Sequence, residues 1–218
     1  MTTQQCEYGK LNDYHDGDNF KFDIEAQPTI TEFEEFIGEK MTNAGRCVLN
    51  TPDNFPLKLD KDGTPLKRQR EYFTDDTEFT GKKVDYIANH ESWSNSEHEW
   101  LYGLAYNGHI VKIGMTITSL QDRWSGSYSC GTSRAMSKGS CSTTNYIITE
   151  CNFKAIHHHG MNVEIYAIRC PKKITEETRF GVTKTIYTST VRGLETMLTE
   201  RFVTKCGYKP VLCVQQGK

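Results

Sequence analysis

The chain of 218 residues lacks any hydrophobic run approaching the ~18 uncharged apolar residues that a membrane-spanning helix needs. Its first residues, Met1-Thr2-Thr3-Gln4-Gln5-Cys6-Glu7, lack the basic and apolar regions of an export signal. Its eight cysteines, at 6, 47, 130, 141, 151, 170, 206 and 213, lack metal-binding spacing: no two are separated by only two or three residues, so no zinc knuckle or ribbon is written here. Nor is there an internal repeat. These absences set the expectation of a soluble, cytoplasmic protein with reduced and mostly buried thiols, and with no membrane partner. What is present suffices for a core: 36% hydrophobic, 25% charged and 11% aromatic residues, in a length that suits one compact domain with arms or two small domains.

The net charge of −2 hides a division, since residues 1–100 carry a net of −10 and residues 101–218 a net of +8. A basic second half points to a polyanionic ligand, or else to two halves that attract each other; charge alone leaves both readings open.

Residues 1–28 are polar and read as an arm, ordered only where it docks. A helical pattern follows over 29–41, with Thr31 and Glu34 placed as a capping box and Phe33, Phe36 and Ile37 on one face. Residues 50–83, with Pro52, Pro56, Pro65, Gly63 and Gly81, favour loops and hold the basic cluster Lys67, Arg68 and Arg70. The clearest organisation begins at Trp100. Two apolar runs, 101–106 and 109–114, flank Asn107-Gly108, a strong hairpin signal. A short helix is expected near 118–124, with Thr118 and Gln121 as a box, then a loop of Gly, Ser and Cys to Cys141. Residues 143–158 read as a helix with Ile147, Ile148, Cys151 and Ala155 inward, 163–168 as a strand, and 180–188 as a short strand or loop. A last helix runs from near Ser189 to Gly207, with Leu194, Met197, Leu198 and Phe202 as its apolar stripe. The expected fold class is α+β: a small antiparallel three-stranded sheet flanked by helices over 100–218, preceded by a helical and loop-rich extension over 1–99.

Taken singly, the polar residues of the second part say little. Tyr102 is an ordinary strand former, and Arg123 and Glu195 are ordinary helix-surface residues. Their arrangement is more specific. Tyr102 sits on the first strand of the hairpin, and Lys112-Ile113-Gly114 begins ten residues later on the second. Arg123 follows eleven residues after Lys112, and Glu195 lies on the last helix before Lys209-Pro210. This set resembles the GIY-YIG nuclease family, with Trp100-Leu101-Tyr102 at its first motif and Lys112-Ile113-Gly114 at its second. Ser127-Tyr128-Ser129-Cys130-Gly131, Gly139-Ser140-Cys141-Ser142-Thr143-Thr144-Asn145-Tyr146 and Lys209-Pro210-Val211-Leu212-Cys213 are similar to strings in the restriction-enzyme branch of that family. The likeness covers residues 100–215. Three positions depart from the family pattern: Trp100 replaces its leading Gly, Lys112 its second-motif Tyr (a change expected of that branch), and Cys213 its usual Asn.

The resemblance implies a phosphodiester hydrolase in which Tyr102 is the general base for the attacking water. Arg123 clamps non-bridging phosphate oxygens through its planar fork. Glu195 holds one Mg²⁺ (with Mn²⁺ as a possible substitute), and Tyr128 orients phosphate or water. A phenol has a reference pKa of about 10, so the site must favour phenolate, a task assigned to Lys112 and the metal. A two-residue Asn107-Gly108 turn opposes Tyr102 with Ile113 and puts Lys112 on the other face. A three-residue loop with a glycine bulge pairs Tyr102 with Lys112 directly, and that loop is the expectation. Three adjacent histidines, His157-His158-His159, cannot converge on one ion from a helix and are set aside. Ser142, Thr143, Thr144 and Asn145 are either a helix cap or, beside the basic loop of Arg134 and Lys138, DNA contacts; the resemblance favours DNA contacts.

The functional expectation is a cytoplasmic, bacterial or virus-encoded type II restriction endonuclease, Mg²⁺-dependent, cutting double-stranded DNA at a short palindrome as a homodimer. The N-terminal region is expected to supply dimer contacts, with Arg68 and Arg70 on phosphates. The alternatives are a structure-specific repair, recombination or phage-encoded nuclease of the same family, and a non-catalytic DNA-binding module.

Overall fold

The computed structural model describes residues 13–66, 71–76, 79–129 and 142–213. Its elements run β1 (His15–Asp16), β2 (Asn19–Phe20), α1 (Ile30–Ile37), β3 (Thr42–Leu49), β4 (Val84–Ala88), β5 (Glu99–Tyr106), β6 (His109–Thr116), a π-helical turn (Asp122–Ser127), α2 (Thr143–His157), β7 (Val163–Cys170), β8 (Lys173–Arg179), β9 (Val182–Thr188) and α3 (Val191–Cys206).

The fold is α+β with antiparallel pairing throughout, and the main sheet has five strands instead of three, ordered β4-β3-β7-β5-β6. The two strands absent from the sequence reading, β3 and β4, come from the first hundred residues. Thr42-Asn43-Ala44-Gly45-Arg46 alternates poorly and carries a glycine that reads as a breaker. Its reason is tertiary: a Cβ on Gly45 would lie 2.5 Å from the Trp93 ring, so the glycine lets the indole close on the strand.

Two cores lie on the two faces of this sheet. Trp100, Tyr102, Leu104 and Tyr106 of β5 meet Trp124, Tyr128, Ile147, Ile148 and Cys151 on one face. Leu101, Ala105 and Ile113 meet Phe33, Val191 and Phe202 of α1 and α3 on the other. This is the period-two alternation of a strand buried on both sides, each face serving a different helix layer. Phe20, Phe22 and Ile24 pack against the first core, so the described part of the N-terminal arm is docked. No helix among the described residues is long and apolar enough to cross a membrane. The described cysteines 47, 151, 170, 206 and 213 are free thiols.

Several local expectations change for identifiable reasons. The cap of α1 is Thr29, whose hydroxyl accepts the Glu32 N–H while the Glu32 carboxylate accepts the Thr29 N–H at 2.8 Å. Thr31 and Glu34 do not form that box, because the Glu34 carboxylate accepts from the Met41 N–H at 2.8 Å. The turn after β6 is capped by Ser119 and not by Thr118, through the Asp122 N–H to Ser119 Oγ bond of 3.0 Å. On α3, Val191 and Phe202 are buried and Leu198 packs with them, but Leu194 and Met197 are exposed. Residues 180–188 are half of a second, exposed hairpin, β8–β9, which pairs only within itself.

The first hairpin closes with the two-residue turn Asn107-Gly108, both left-handed at φ 47° and 83°, and not with the expected three-residue loop. The extra residue sits inside β6 instead. Ala105 pairs with Ile110 and Leu104 with Lys112, leaving Val111 as a bulge. Its carbonyl accepts the Leu212 N–H at 2.8 Å, so the C-terminal segment satisfies the group that the bulge takes out of the ladder. Beyond the bulge the register is shifted by one, so Tyr102 pairs with Gly114 and shares its face with Lys112. The face-sharing expected from the chemistry is met by a different device.

Candidate active site

Tyr102 lies at the centre of β5, 1% exposed, with its ring laid across Gly114 of the neighbouring strand. A Cβ at residue 114 would stand 2.5 Å from the Tyr102 hydroxyl, so the glycine of the Lys-Ile-Gly motif is required by the ring it carries. Trp124 closes the other side edge-on, its ring centre 5.0 Å from that of Tyr102.

The π-helical turn supplies the next two groups. Its wider winding brings Arg123 and Tyr128, five residues apart, to one side. The Arg123 guanidinium donates from Nε to the Tyr102 hydroxyl at 3.2 Å and from Nη2 to the Tyr128 hydroxyl at 2.8 Å, and the two hydroxyls are themselves 3.2 Å apart. One planar fork therefore holds both phenols. The Tyr128 backbone is fixed in turn: its carbonyl accepts from the Tyr86 hydroxyl at 2.9 Å and the Thr149 hydroxyl at 2.8 Å. Asn152 extends this buried network, donating to Tyr86 and accepting from Tyr106. Tyr86 belongs to β4, so a strand from the first hundred residues braces the site. The sequence carried no signal for this bracing, since tyrosine and asparagine buried in a network look like any others.

Lys112 is buried on the same face, its ammonium 6.0 Å from the Tyr128 ring centre. Burial works against its charge, but the ionisable Tyr128, Cys213 and Glu195 around it outweigh that and hold its pKa above the ordinary lysine value. Cys213, in the place of the family's usual Asn, clips the adjacent backbone: its thiol donates to the Ile113 carbonyl and accepts from the Ile113 N–H, each at 3.4 Å.

Glu195 stands half-buried one turn into α3, and α3 packs mainly against β6 and β5. Because β6 is the edge strand, a side chain from the helix layer on one face can approach groups on the other. Burial raises the Glu195 carboxyl above its ordinary pKa, while Lys112, Arg123 and Arg192 act from nearby in the opposite sense. No hydrogen bond from another described residue reaches that carboxylate. The start of α3 is pinned by Glu99 of β5, whose buried carboxylate accepts the Thr190 and Val191 N–H groups at 3.3 Å each. Glu99 is a positioning residue that sequence reasoning missed, because a carboxylate opening a strand gives no hint of the helix it will cap.

The structure thus brings Tyr102, Arg123 and Tyr128 into contact, with Lys112 beside Tyr128 and Glu195 within electrostatic reach of Lys112 and Arg123. It departs from the sequence expectation in one electrostatic respect. Burial, and then Tyr128, push the Tyr102 phenol well above its ordinary pKa, with Arg123 opposing. The Arg123 guanidinium, pushed down by burial, is lifted above its usual value by those same two tyrosines.

The other sequence-derived residues fall differently. Ser142 caps α2, accepting the Asn145 N–H at 3.2 Å. Thr143 opens that helix, Thr144 is buried and Asn145 is half-exposed. Arg68, Arg70, Arg134 and Lys138 lie outside the described residues.

No family model matches the chain, and no curated protein matches it. Among solved structures it is similar to the restriction endonuclease HPY188I in complex with product DNA, at 22% identity over 88% of this chain and 90% of that one, with a TM-score of 0.45. It is also similar to a mutant of bacteriophage T4 EndoII, at 17% identity over 79% of this chain and 94% of that one, with a TM-score of 0.39. Both are GIY-YIG nucleases, the family that the Tyr102 and Lys112-Ile113-Gly114 motifs resemble.

Proposed function

We propose that the protein is a divalent-metal-dependent endonuclease of double-stranded DNA and, more narrowly, a type II restriction enzyme that cuts a short palindrome as a homodimer. The observation that carries this reading is the clamp of one half-buried guanidinium on two phenols, with an ammonium and a half-buried carboxylate near it. Such a set matches the needs of phosphodiester hydrolysis: positive charge on the phosphate, a base for water, and a ligand for a hard cation.

The residues fit a Mg²⁺ or Mn²⁺ ion held at Glu195. A partly desolvated carboxylate that accepts no hydrogen bond from another described residue suits a cation that keeps its waters and takes one protein carboxylate plus substrate phosphate. Bound there, the ion supplies Lewis acidity for the departing 3′ oxygen. Arg123 spends Nε and one Nη2 proton on the tyrosines and keeps its remaining N–H groups for a non-bridging phosphate oxygen. Tyr102 accepts the proton of the attacking water as a phenolate. Its raised pKa makes that form a minority at neutral pH, so cleavage should climb with pH by up to about tenfold per unit on the acidic limb. Tyr128 is assigned the orientation of phosphate or water, and Lys112 the support of the Tyr102 phenolate. The N-terminal hundred residues, including Arg68 and Arg70, are assigned dimer and phosphate contacts.

The test is incubation of the purified protein with plasmid DNA and Mg²⁺, followed by sequencing of the fragment ends. The expected result is a single recurrent palindrome at the termini. Ends of random sequence, or cutting confined to branched substrates, would replace the restriction reading with a structure-specific nuclease. Glu195→Ala should lower cleavage by about a thousandfold or more while duplex affinity stays within a few-fold; undiminished cleavage would remove Glu195 from the site.

A further inference from the structure

The sheet face that carries Tyr102 continues beyond the active site to a second polar place. Arg169 of β7 pairs with Trp100 of β5, and Ala167, two residues earlier, pairs with Tyr102. Arg169 therefore stands on Tyr102's side of the sheet, two residues along and one strand across, roughly 8 Å away between Cα atoms. A cavity of about 420 Å³ lies there, lined by Trp100, Ala167 and Thr42 from three neighbouring strands and by His90, Glu91 and Arg169.

Arg169 is exposed, and no described carboxylate forms a salt bridge with it, yet it is held. Asn95 Oδ1 accepts the Glu97 N–H at 2.9 Å and the His98 Nδ1–H at 3.1 Å. An amide oxygen can only accept, so the His98 proton sits on Nδ1, and its Nε2 lone pair accepts from Arg169 Nη2. A carboxylate in that place would hold the guanidinium and cancel its charge. A neutral imidazole holds it and leaves the charge whole, and the other N–H groups of the fork engage no described residue. The rest of the cavity is rich in donors too. His90 Nδ1 accepts the Ser92 N–H at 3.1 Å, so the proton of the neutral ring is on Nε2, and Thr42 adds a hydroxyl. The one acid of the lining, Glu91, is exposed and forms no ion pair with Arg169 among the described residues. Donors that outnumber acceptors around an uncancelled guanidinium call for an anionic ligand with acceptor oxygens, which is the chemistry of a phosphate.

We propose that Arg169, aimed by Asn95 and His98, binds a backbone phosphate of the duplex beside the scissile one. This rests on the nuclease reading and adds to it a contact that grips DNA without entering the chemistry. The placement selects the source of the phosphate. A duplex whose scissile linkage sits at Tyr102 and Arg123 runs on past the same sheet face, and successive phosphates of one strand rise by only about 3.4 Å along its axis. Asn95 and His98 are positioning residues; Arg169 supplies affinity and register but reads no base.

The test measures duplex binding by the full-length protein without divalent metal, through anisotropy of labelled DNA between about 50 and 200 mM salt. Arg169→Gln should weaken binding about tenfold, equally on every sequence, and should lower the slope of log affinity against log salt by about 0.9. His98→Ala should give part of that loss, and His98→Gln, whose amide oxygen can accept from the guanidinium, should recover it. With Mg²⁺ and saturating duplex, cleavage by Arg169→Gln should stay within a few-fold of wild type, and its melting temperature should not move. An unchanged salt slope for Arg169→Gln, with the wild type binding normally, would overturn the phosphate contact and leave the nuclease reading intact. Inorganic phosphate at millimolar concentration should displace the duplex no more than its ionic strength accounts for. Extra displacement that Arg169→Gln abolishes would assign the cavity to a free anion and overturn the duplex contact as well. Failure of the wild type to bind duplex or to cut plasmid would instead bring down the nuclease reading, and this contact with it.

Discussion

Two hairpins in this chain share one turn geometry and have opposite fates. The β5–β6 pair closes on Asn107-Gly108 and the β8–β9 pair on Phe180-Gly181, with both residues of each turn left-handed. The first hairpin is buried on both faces and carries Tyr102 and Lys112; the second is exposed along nearly all its length. In the first, Asn107 is tied down on both sides, its N–H donating to the Asn162 carbonyl at 2.8 Å and its side-chain oxygen accepting the Asn162 N–H at 2.9 Å. In the second, the phenylalanine of the turn is fully exposed. Turn chemistry therefore decides only that the chain reverses. What the strands then do depends on whether both faces have partners.

The comparison can be broken at several points. The largest effect belongs to the buried hairpin's chemistry. Arg123→Lys keeps a positive charge but loses the fork that holds both phenols, and plasmid cleavage should fall by about a hundred- to a thousandfold. Circular dichroism should show the fold retained. Near-normal cleavage would mean that charge alone is needed.

Glycine substitutions sharpen the contrast next. Gly114→Ala drives a methyl group into the Tyr102 phenol and should cost about 1–3 kcal/mol by denaturant titration, with cleavage largely lost. Gly181→Ala meets no atom within 4 Å and carries only the left-handed backbone penalty of about 1 kcal/mol. Equal losses at the two sites would show that backbone conformation, and not burial, sets the cost.

Exchanging the turn residues goes further in the same direction. Asn107→Phe should destabilise by about 1–2 kcal/mol, through the lost Asn162 bond and the strained φ. Phe180→Asn should leave the melting temperature unchanged or slightly higher. A marked fall for Phe180→Asn would reveal an internal role for the tip.

The smallest effect concerns Glu195, whose folded-state pKa is raised mainly by burial. A carboxyl with a raised pKa binds its proton more tightly in the folded protein, so its ionisation subtracts stability as pH rises through the folded value. In metal-free protein, Glu195→Gln should melt a degree or so above wild type at neutral pH, and the difference should vanish below about pH 4, where the wild-type carboxyl is protonated in both states. A lower melting temperature for the variant at neutral pH would mean that Lys112 and Arg123 stabilise the carboxylate more than burial disfavours it.

The reach of the sequence differs by element. Asn107-Gly108 between apolar runs announced the first hairpin, and the inward Ile147, Ile148 and Cys151 announced α2, because turns and periodicity are short-range patterns, whereas Ser142, read in favour of DNA contact, caps that helix. β3 and β4 were hidden, since Gly45 makes sense only beside Trp93 and β4 only beside β3. The Val111 bulge was hidden too, because its carbonyl is satisfied by Leu212, a hundred residues away. On α3, Leu194 and Met197 look as apolar as Leu198, and only the shape of the neighbouring layer leaves them outside.

The sequence by itself determined that Tyr102 and Lys112 lie on adjacent strands, that an arginine follows in the next turn, and that a glutamate lies on the last helix, since each depends on local pattern or on a motif whose spacing is conspicuous. Tertiary structure alone decided that one guanidinium would clamp two phenols, that Glu99 would hold the start of α3, and that burial would raise the Tyr102 phenol instead of lowering it. Those outcomes follow from distance and desolvation, and both arise only when segments far apart in the chain exclude water from the same small volume.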